Sequence, residues 1–182
     1  MENKIEFERA NLVFRRPEKA DATILLELKN NKEAAYWLGG IHHQYTIEEI
    51  DRWIEFHNGN TEEVLLVIED KTVGRLIGHV GLYKIDQVAK KTELGILIAD
   101  DNSRGKGYGT LITKAMVEYA FEVLQLHKVT VEVLLGNIPS MKMFKKCGFT
   151  IDGCLRDDVY KNDQYYDVLC MSIINQKLSC QE

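Results

Sequence analysis

The chain has 182 residues and a net charge of −5, and its 45% hydrophobic and 28% charged residues are typical of a folded protein and not of a disordered one. The acidic balance argues against nucleic acid as a partner, because surfaces that bind nucleic acid are usually basic. Since the N-terminus is charged and no apolar run is long enough to cross a membrane, we expect a cytoplasmic protein without a membrane partner.

The first half of the chain predicts a strand, two helices and two further strands. Asp21 is a candidate N-cap for the first helix, which we expect to reach about Ala35. Thr46 and Glu49 have the spacing of a capping box, in which each side chain bonds a free backbone N–H at the start of a helix. Glycines in the last strand indicate a bulge or a close backbone approach. The strands are predicted at residues 11–16, 64–69 and 76–83.

Residues 93–110 combine a short strand, a glycine-rich turn and the start of an amphipathic helix. Alternating glycines permit a tight turn with exposed N–H groups, and the helix start adds free N–H donors and a positive dipole end. The pattern therefore predicts a phosphate-binding loop, strengthened by two basic side chains, although a plain structural turn is the alternative. The residues of this loop are Arg104, Gly105, Lys106, Gly107, Tyr108, Gly109 and Thr110.

The remainder of the chain predicts strands around one further, short helix. That helix is expected from about Ser140 to Cys147, with Pro139 in its first turn and Gly148 as its C-cap. The four cysteines show neither a Cys-x-x-Cys pair nor a histidine at ligand spacing, so we expect free thiols and no metal site. The strands are predicted at residues 129–135, 150–153, 155–161 and 165–174.

Two segments resemble the GCN5-related N-acetyltransferases, the GNAT superfamily. Arg-x-x-Gly-x-Gly at residues 104–109 resembles the loop that binds the pyrophosphate of acetyl-CoA. The segment from Asn137 through Ser140 to Gly148 and Phe149 resembles the family's Asn-x-x-Ala/Ser…Gly-Phe segment, in the expected order. The resemblance covers about residues 8–175 of the chain. It implies one α/β (α+β) domain with the GNAT fold, a mixed and mostly antiparallel sheet with a splayed central strand pair and flanking helices.

The resemblance also implies how acetyl-CoA would bind. The pyrophosphate would lie on the loop of residues 104–110. The pantetheine would lie in the gap between the splayed strands, against exposed strand backbone, and Asn137 would hold it or an ordered water. No metal is implied. The further residues that the resemblance assigns to the cofactor are Ile96, Leu97, Ile98, Ser140 and Phe144.

Glu93 and Ser140 are the catalytic candidates by resemblance. Glu93 precedes the apolar part of the central strand, where the family often places an acidic base or amine anchor, and Glu132 is a weaker candidate for the same role. Family members commonly carry a tyrosine at the position of Phe144, where it protonates the CoA thiolate. Phenylalanine has no proton to donate. Either Ser140, a water or another tyrosine would act instead, and the available tyrosines are Tyr108, Tyr160, Tyr165 and Tyr166.

Residues 119–128 and 165–171 carry a closer likeness to the branch that contains ribosomal-protein N-terminal acetyltransferases and spermidine acetyltransferases. The acidic charge favours a polyamine or another small cationic amine as the acceptor. A peptide N-terminus, an amino sugar and an aminoglycoside are the alternatives, as is a non-catalytic sensor of acyl-CoA. A phosphotransferase is disfavoured because the chain lacks the P-loop lysine. Homo-oligomers are common in the family.

Overall fold

A computed structural model describes residues 6–38, 43–98 and 105–177. Its strands are β1 (Glu6–Arg9), β2 (Leu12–Arg15), β3 (Val64–Asp70), β4 (Arg75–Asp86), β5 (Lys91–Ile98), β6 (Lys128–Leu134), β7 (Thr150–Lys161) and β8 (Gln164–Ile174). Its helices are α1 (Ala22–Asn30), α2 (Lys32–Trp37), α3 (Ile47–Gly59), α4 (Tyr108–Glu118) and α5 (Ile138–Lys146). A π-helical turn, Tyr119–Val123, extends α4.

The described strands form one 8-stranded sheet in the order β1-β2-β3-β4-β5-β6-β8-β7. Neighbouring strands are antiparallel except β5 and β6, which run parallel in the middle of the sheet. The mixed, mostly antiparallel α/β architecture confirms the fold class expected from the sequence. The parallel pair divides the sheet into two antiparallel halves.

Each face of the sheet is covered by different helices. The larger core lies between one face and α4 with α5, where Met116, Ile112 and Phe144 pack on apolar strand residues such as Val131. A smaller core lies on the opposite face, where α1 and α3 cover β3, β4 and β5. The strands thus bring two helix starts, those of α4 and α5, to one side of the central pair. Among the described residues, no helix has the length and apolarity needed to span a membrane.

The structure confirms several local predictions and corrects others. The side chains of Thr46 and Glu49 form the predicted capping box of α3. The first helix is shorter than predicted, because Asn31 leaves the helical conformation and caps a separate α2 by accepting bonds from two backbone N–H groups. The two predicted strands 150–153 and 155–161 are one strand, β7, with irregular register at two points. The N-terminal strand β1 has no counterpart in the sequence prediction.

Candidate active site

The central strands β5 and β6 separate like the arms of a fork. Their parallel pairing covers Lys91 to Glu93 on β5, and the last pair joins Glu93 to Thr130. Beyond that pair β5 continues to Ile98, bonded to β4, while β6 continues to Leu134, bonded to β8. The facing edges of the two strands are therefore without a ladder partner in the described strands. Such edges offer backbone N–H and C=O groups to an extended ligand.

The start of α4 lies at the open end of this fork. Gly107 is its N-cap and has φ +79°, and Gly105 has φ +74°, a backbone conformation that favours glycine. A methyl group on either glycine would meet no atom within 4 Å, so the loop faces open space. The first N–H groups of α4 have no partner within the helix, which makes this end suited to an anion. Arg104, the first residue of the predicted loop, lies outside the described residues.

Tyr108 fixes the first turn of α4 to the sheet. Its hydroxyl donates to Asp70 Oδ2 at 2.6 Å, and Asn11 Nδ2 donates both to that hydroxyl and to Asp70 Oδ1. Burial raises the pKa of Asp70, but hydrogen bonds from Thr72, Tyr108 and Asn11 outweigh it and hold that pKa far below its ordinary value. Since the Tyr108 side chain points to β3, this residue can offer a ligand its backbone N–H, while its hydroxyl is already bonded.

The start of α5 stands beside that of α4. Asn137 is 8% exposed and caps α5, its Oδ1 accepting the Ser140 backbone N–H at 3.2 Å. The two helices are in contact near Gly109, since a methyl group there would lie 3.5 Å from Met143 Cγ, an ordinary van der Waals distance. Ser140 is half-buried in the first turn. The structure thus places Asn137, Ser140 and the glycine loop on the same side of the fork.

The predicted cofactor residues of β5 divide between the two faces of the sheet. The side chains of Ile96 and Ile98 pack on the larger core, whereas Leu97 is buried under α1 and α3. Their shared feature is the strand edge that faces the fork. Phe144 is 4% exposed and packs edge-on against Phe149, with ring centroids 5.3 Å apart. The ring is part of the core, and phenylalanine has no proton to donate to a thiolate.

Acidic side chains lie at the base of the fork, on the α1–α3 face. Glu93 is half-buried, and its Oε2 accepts a hydrogen bond from Lys84 Nζ at 2.7 Å. That bond raises the pKa of Lys84, and the charges of Glu93 and the exposed Glu132 raise it further. Burial raises the pKa of Cys170, which faces Glu132 across the β6–β8 pair, and the carboxylates around it raise it again. This part of the fork is therefore suited to a cationic group.

Tyr83 is a residue of this region that the sequence prediction missed. Gly81 on β4 pairs with Gly95 on β5, and the Tyr83 ring lies across both glycines. A methyl group on Gly95 would be 2.9 Å from Tyr83 Cε2, and one on Gly81 would overlap the hydroxyl end of the ring. The signal in the sequence was Gly81, which indicated a close approach without indicating what approaches. The pairing register identifies the ring as the neighbour.

The other tyrosines considered as proton donors lie elsewhere. Tyr160 and Tyr165 are exposed on the β7–β8 hairpin with ring centroids 4.8 Å apart. The Tyr166 hydroxyl is 3.5 Å from that of Tyr36 on α2. Lys161 strengthens this contact, because its ammonium bonds the Tyr36 and Leu38 carbonyls and lies 4.9 Å from the centre of the Tyr36 ring. These residues hold α2 against the hairpin on the same face as Glu93.

The residues present fit an acyl-CoA ligand. The open glycine loop and the free start of α4 suit a pyrophosphate, and the fork supplies unpaired backbone for an extended chain. Within the described residues, no group of three or more acidic, cysteine or histidine side chains could hold a metal ion. Cys147, Cys154 and Cys170 are free thiols.

The sequence and the fold are similar to known acetyltransferases. The family model of the acetyltransferase (GNAT) domain matches residues 11–150. Spermidine N(1)-acetyltransferase of Vibrio cholerae is 28% identical over 169 residues, which cover 92% of this chain and 95% of that protein. The YdaF protein of Bacillus subtilis, named for a proposed ribosomal N-acetyltransferase activity, is 34% identical over 104 residues, covering 57% of this chain and 56% of that protein. The crystal structure of spermidine N-acetyltransferase from Vibrio cholerae in complex with CoA and spermine superposes with a TM-score of 0.83 at 27% identity, covering 91% of this chain and 96% of that chain.

Proposed function

The chain belongs to the GNAT acetyltransferase family and is an N-acetyltransferase, and on this basis we propose that its acceptor is a polyamine or another small cationic amine. Acetyl-CoA supplies the acetyl thioester in this family. The acceptor amine would attack that thioester directly, with both substrates bound at the same time. We propose that residues 1–182 work as one catalytic domain in the cytoplasm, where free thiols such as those of Cys154 and Cys170 persist.

The observation that carries the proposal is the juxtaposition of the fork with two helix starts. The proposed pantetheine site is the edge of β5 at Ile96, Leu97 and Ile98. The proposed pyrophosphate site is the loop with Gly105 and Gly107, to which Lys106 and Arg104 add positive charge. Asn137 and Ser140 would line the same channel from α5. Thr110 would contribute its backbone N–H, and Phe144 would support the wall of the channel from the core.

Glu93 is the proposed base or amine anchor. It stands at the last β5–β6 pair, where the fork opens, so a group bound between the arms meets its carboxylate first. In the reaction the amine nitrogen forms a bond to the carbonyl carbon and the carbon–sulfur bond breaks. The amine proton passes to Glu93, and the thiolate takes a proton from Ser140 or from water. Solvent then returns a proton to that donor and takes up the proton from Glu93. Phe144 takes no part in that last step.

The preference for a cationic acceptor rests on the charges around the fork. Glu93 and Glu132 lie at its base, and the net charge of the chain is −5. The similarity to spermidine acetyltransferases over nearly the whole chain supports the same class of acceptor. A protein N-terminus is the second candidate, supported by the match to YdaF, and would make the enzyme a ribosomal-protein type acetyltransferase.

The test is thiol release from acetyl-CoA with a panel of amines: spermidine, spermine, N-terminal peptides, amino sugars and aminoglycosides. We expect turnover with spermidine or spermine at micromolar to millimolar KM, which is the usual range for enzymes. Faster turnover with peptides than with polyamines would overturn the polyamine proposal in favour of the second candidate. If no amine causes thiol release although CoA raises the melting temperature, all the proposed acceptors are contradicted.

A further inference from the structure

Tyr83 lies on the α1–α3 face of the sheet, beside the fork between β5 and β6. The β5–β6 pairing ends at Glu93, and Gly95 is two residues further along β5, so the Gly81–Gly95 pair lies where the strands have begun to separate. The hydroxyl end of the Tyr83 ring lies over Gly81, and one ring edge lies over Gly95. The hydroxyl is therefore at the level of the open fork, on the face that carries Glu93.

The ring is held in this position from both sides. The two glycine backbones support one face, and the His57 ring of α3 lies at a centroid distance of 6.3 Å in an edge-to-face arrangement. His57 is itself fixed, because its Nδ1 pairs with the buried Glu63 and its ring packs edge-on against Trp53 at 4.6 Å. A side chain clamped between a strand pair and a helix presents its polar end in one place, as a positioning group must.

The hydroxyl itself is free to bind a ligand. Tyr83 is half-buried, its backbone carbonyl accepts a hydrogen bond from Thr92 Oγ1, and no described residue forms a hydrogen bond with its hydroxyl. Burial raises the pKa of Tyr83 above its ordinary value, and the nearby carboxylates of Glu63 and Glu93 raise it further. The group is thus a neutral hydroxyl throughout the working range. It can accept one hydrogen bond and donate another without competing as a base.

We propose that the Tyr83 hydroxyl positions the acceptor amine in front of the thioester and that the Tyr83 ring restricts the acceptor to a slender, unbranched primary amine. The inference rests on the proposed function. One amine N–H would be donated to Tyr83 Oη and another to Glu93, which leaves the nitrogen lone pair directed into the fork. Because the ring fills the space above Gly81 and Gly95, a branched or cyclic amine has no room beside it.

Tyr83→Phe tests the hydroxyl, since it leaves the ring and its contacts in place. We expect kcat/KM for spermidine to fall about threefold to tenfold, as for the loss of one hydrogen bond between neutral groups. The fall should appear in kcat and in the KM for the amine, with an unchanged KM for acetyl-CoA and an unchanged melting temperature. Tyr119→Phe is the matched control, because Tyr119 stacks on Phe7 in the other core at 5.9 Å, and it should retain full activity.

Tyr83→Ala tests the ring. We expect it to lose activity on spermidine and to gain, relative to the unchanged protein, on branched or cyclic amines such as glucosamine. Spermidine kinetics of Tyr83→Phe within twofold of the unchanged protein would overturn the positioning role, even if Tyr83→Ala does not fold. If the unchanged protein acetylates no amine at all, the proposed function itself fails. If it acetylates spermidine and Tyr83→Phe does so equally well, only the role of Tyr83 fails.

Discussion

The ammonium of Lys84 donates a hydrogen bond to Glu93 Oε2 at 2.7 Å, so the proposed base already binds a cation. Lys84 lies in the irregular end of β4 with φ +51°, and its side chain is 80% exposed. A pair with one such exposed partner is weak and readily exchanged. The Lys84 ammonium therefore marks where the ammonium of an acceptor can bind, and the two cations would compete for Glu93.

Lys84→Gln should improve acceptor binding. Removing the competing charge frees the Glu93 carboxylate, and we expect the KM for spermidine to fall about twofold to fivefold, the range for an exposed ion pair. The matched control is Lys90→Gln. Lys90 is also exposed with a similar φ of +52°, but its ammonium bonds Gln87, so its loss should leave the KM unchanged. A higher KM in Lys84→Gln would show instead that Lys84 assists binding.

Glu93→Gln should cut turnover. A positioned base contributes about a hundredfold to ten-thousandfold to a proton-transfer step, and glutamine keeps the size of the side chain without its basicity. We expect kcat to fall within that range, while calorimetry shows unchanged affinity for CoA. Glu132→Gln, on the neighbouring strand, should retain most of the activity. If Glu93→Gln raises only the KM for the amine, Glu93 is an anchor and the base is another group.

Gly107→Glu should abolish acetyl-CoA binding. Gly107 caps α4 at φ +79°, where a side chain is strained by about 1–2 kcal/mol, and a carboxylate would repel the pyrophosphate. Calorimetry with CoA measures the loss directly. Gly59→Glu is the control, because Gly59 also faces open space but lies at the end of α3 with an ordinary φ. Equal CoA affinity in the two variants would refute the loop assignment.

Ser140→Ala should slow transfer if Ser140 protonates the departing thiolate. The Asn137 cap bonds the Ser140 backbone N–H, so the alanine variant keeps that bond and the start of α5. We expect kcat to fall tenfold or more, with a smaller effect on a thioester whose thiol is more acidic, since a better leaving group needs less help. A kcat that holds for both thioesters would assign the proton to water.

The parts of the site that depend on neighbours in sequence could be predicted from the sequence. The capping box of α3 uses residues three positions apart, and alternating glycines indicate the positive φ values of the loop at Gly105 and Gly107. The cap at Asn137 was not predicted, because the resemblance assigned that side chain to the cofactor. The position of the Tyr83 ring could not be predicted, because it depends on the pairing of Gly81 with Gly95 across two strands. Without knowledge of the strand pairing, Tyr83 is one tyrosine in a predicted strand, with no sign of what its ring contacts.

Local sequence patterns also could not predict the irregular end of α1 or the register shift in β4. The helical pattern of residues 22–37 is broken at Asn31, whose side chain bonds two backbone N–H groups and starts α2 instead of continuing α1. The contact of Lys84 with Glu93 arises where the β4–β5 register shifts between Tyr83 and Asp86. Such competition between side-chain caps, register shifts and periodicity is settled by packing, which a single sequence does not display.

His79 should make the protein sensitive to acid. It is buried on β4 beside the Trp53 ring, and both of its ring nitrogens lack a hydrogen-bond partner among the described residues. Burial, together with the charges of Lys29 and His57, lowers the pKa of His79 to about 3. In the unfolded chain the ordinary pKa is about 6.5. On acidification the unfolded state therefore binds a proton that the folded state does not bind. The free energy of unfolding consequently decreases as the pH falls below about 6.5.

His79→Leu should remove this loss. For one such histidine the free energy of unfolding falls by about 2 kcal/mol between pH 7 and pH 5, and the leucine variant should lack that part of the fall. It should also be more stable at pH 7, because two unpaired polar atoms leave the core. Denaturant unfolding at the two pH values measures both effects. His43→Leu, at an exposed position paired with Glu49, should keep most of the acid sensitivity. The difference in acid sensitivity between wild type and His79→Leu reports on His79. Equal losses of stability in the two proteins would mean that the folded protein accommodates a charged His79.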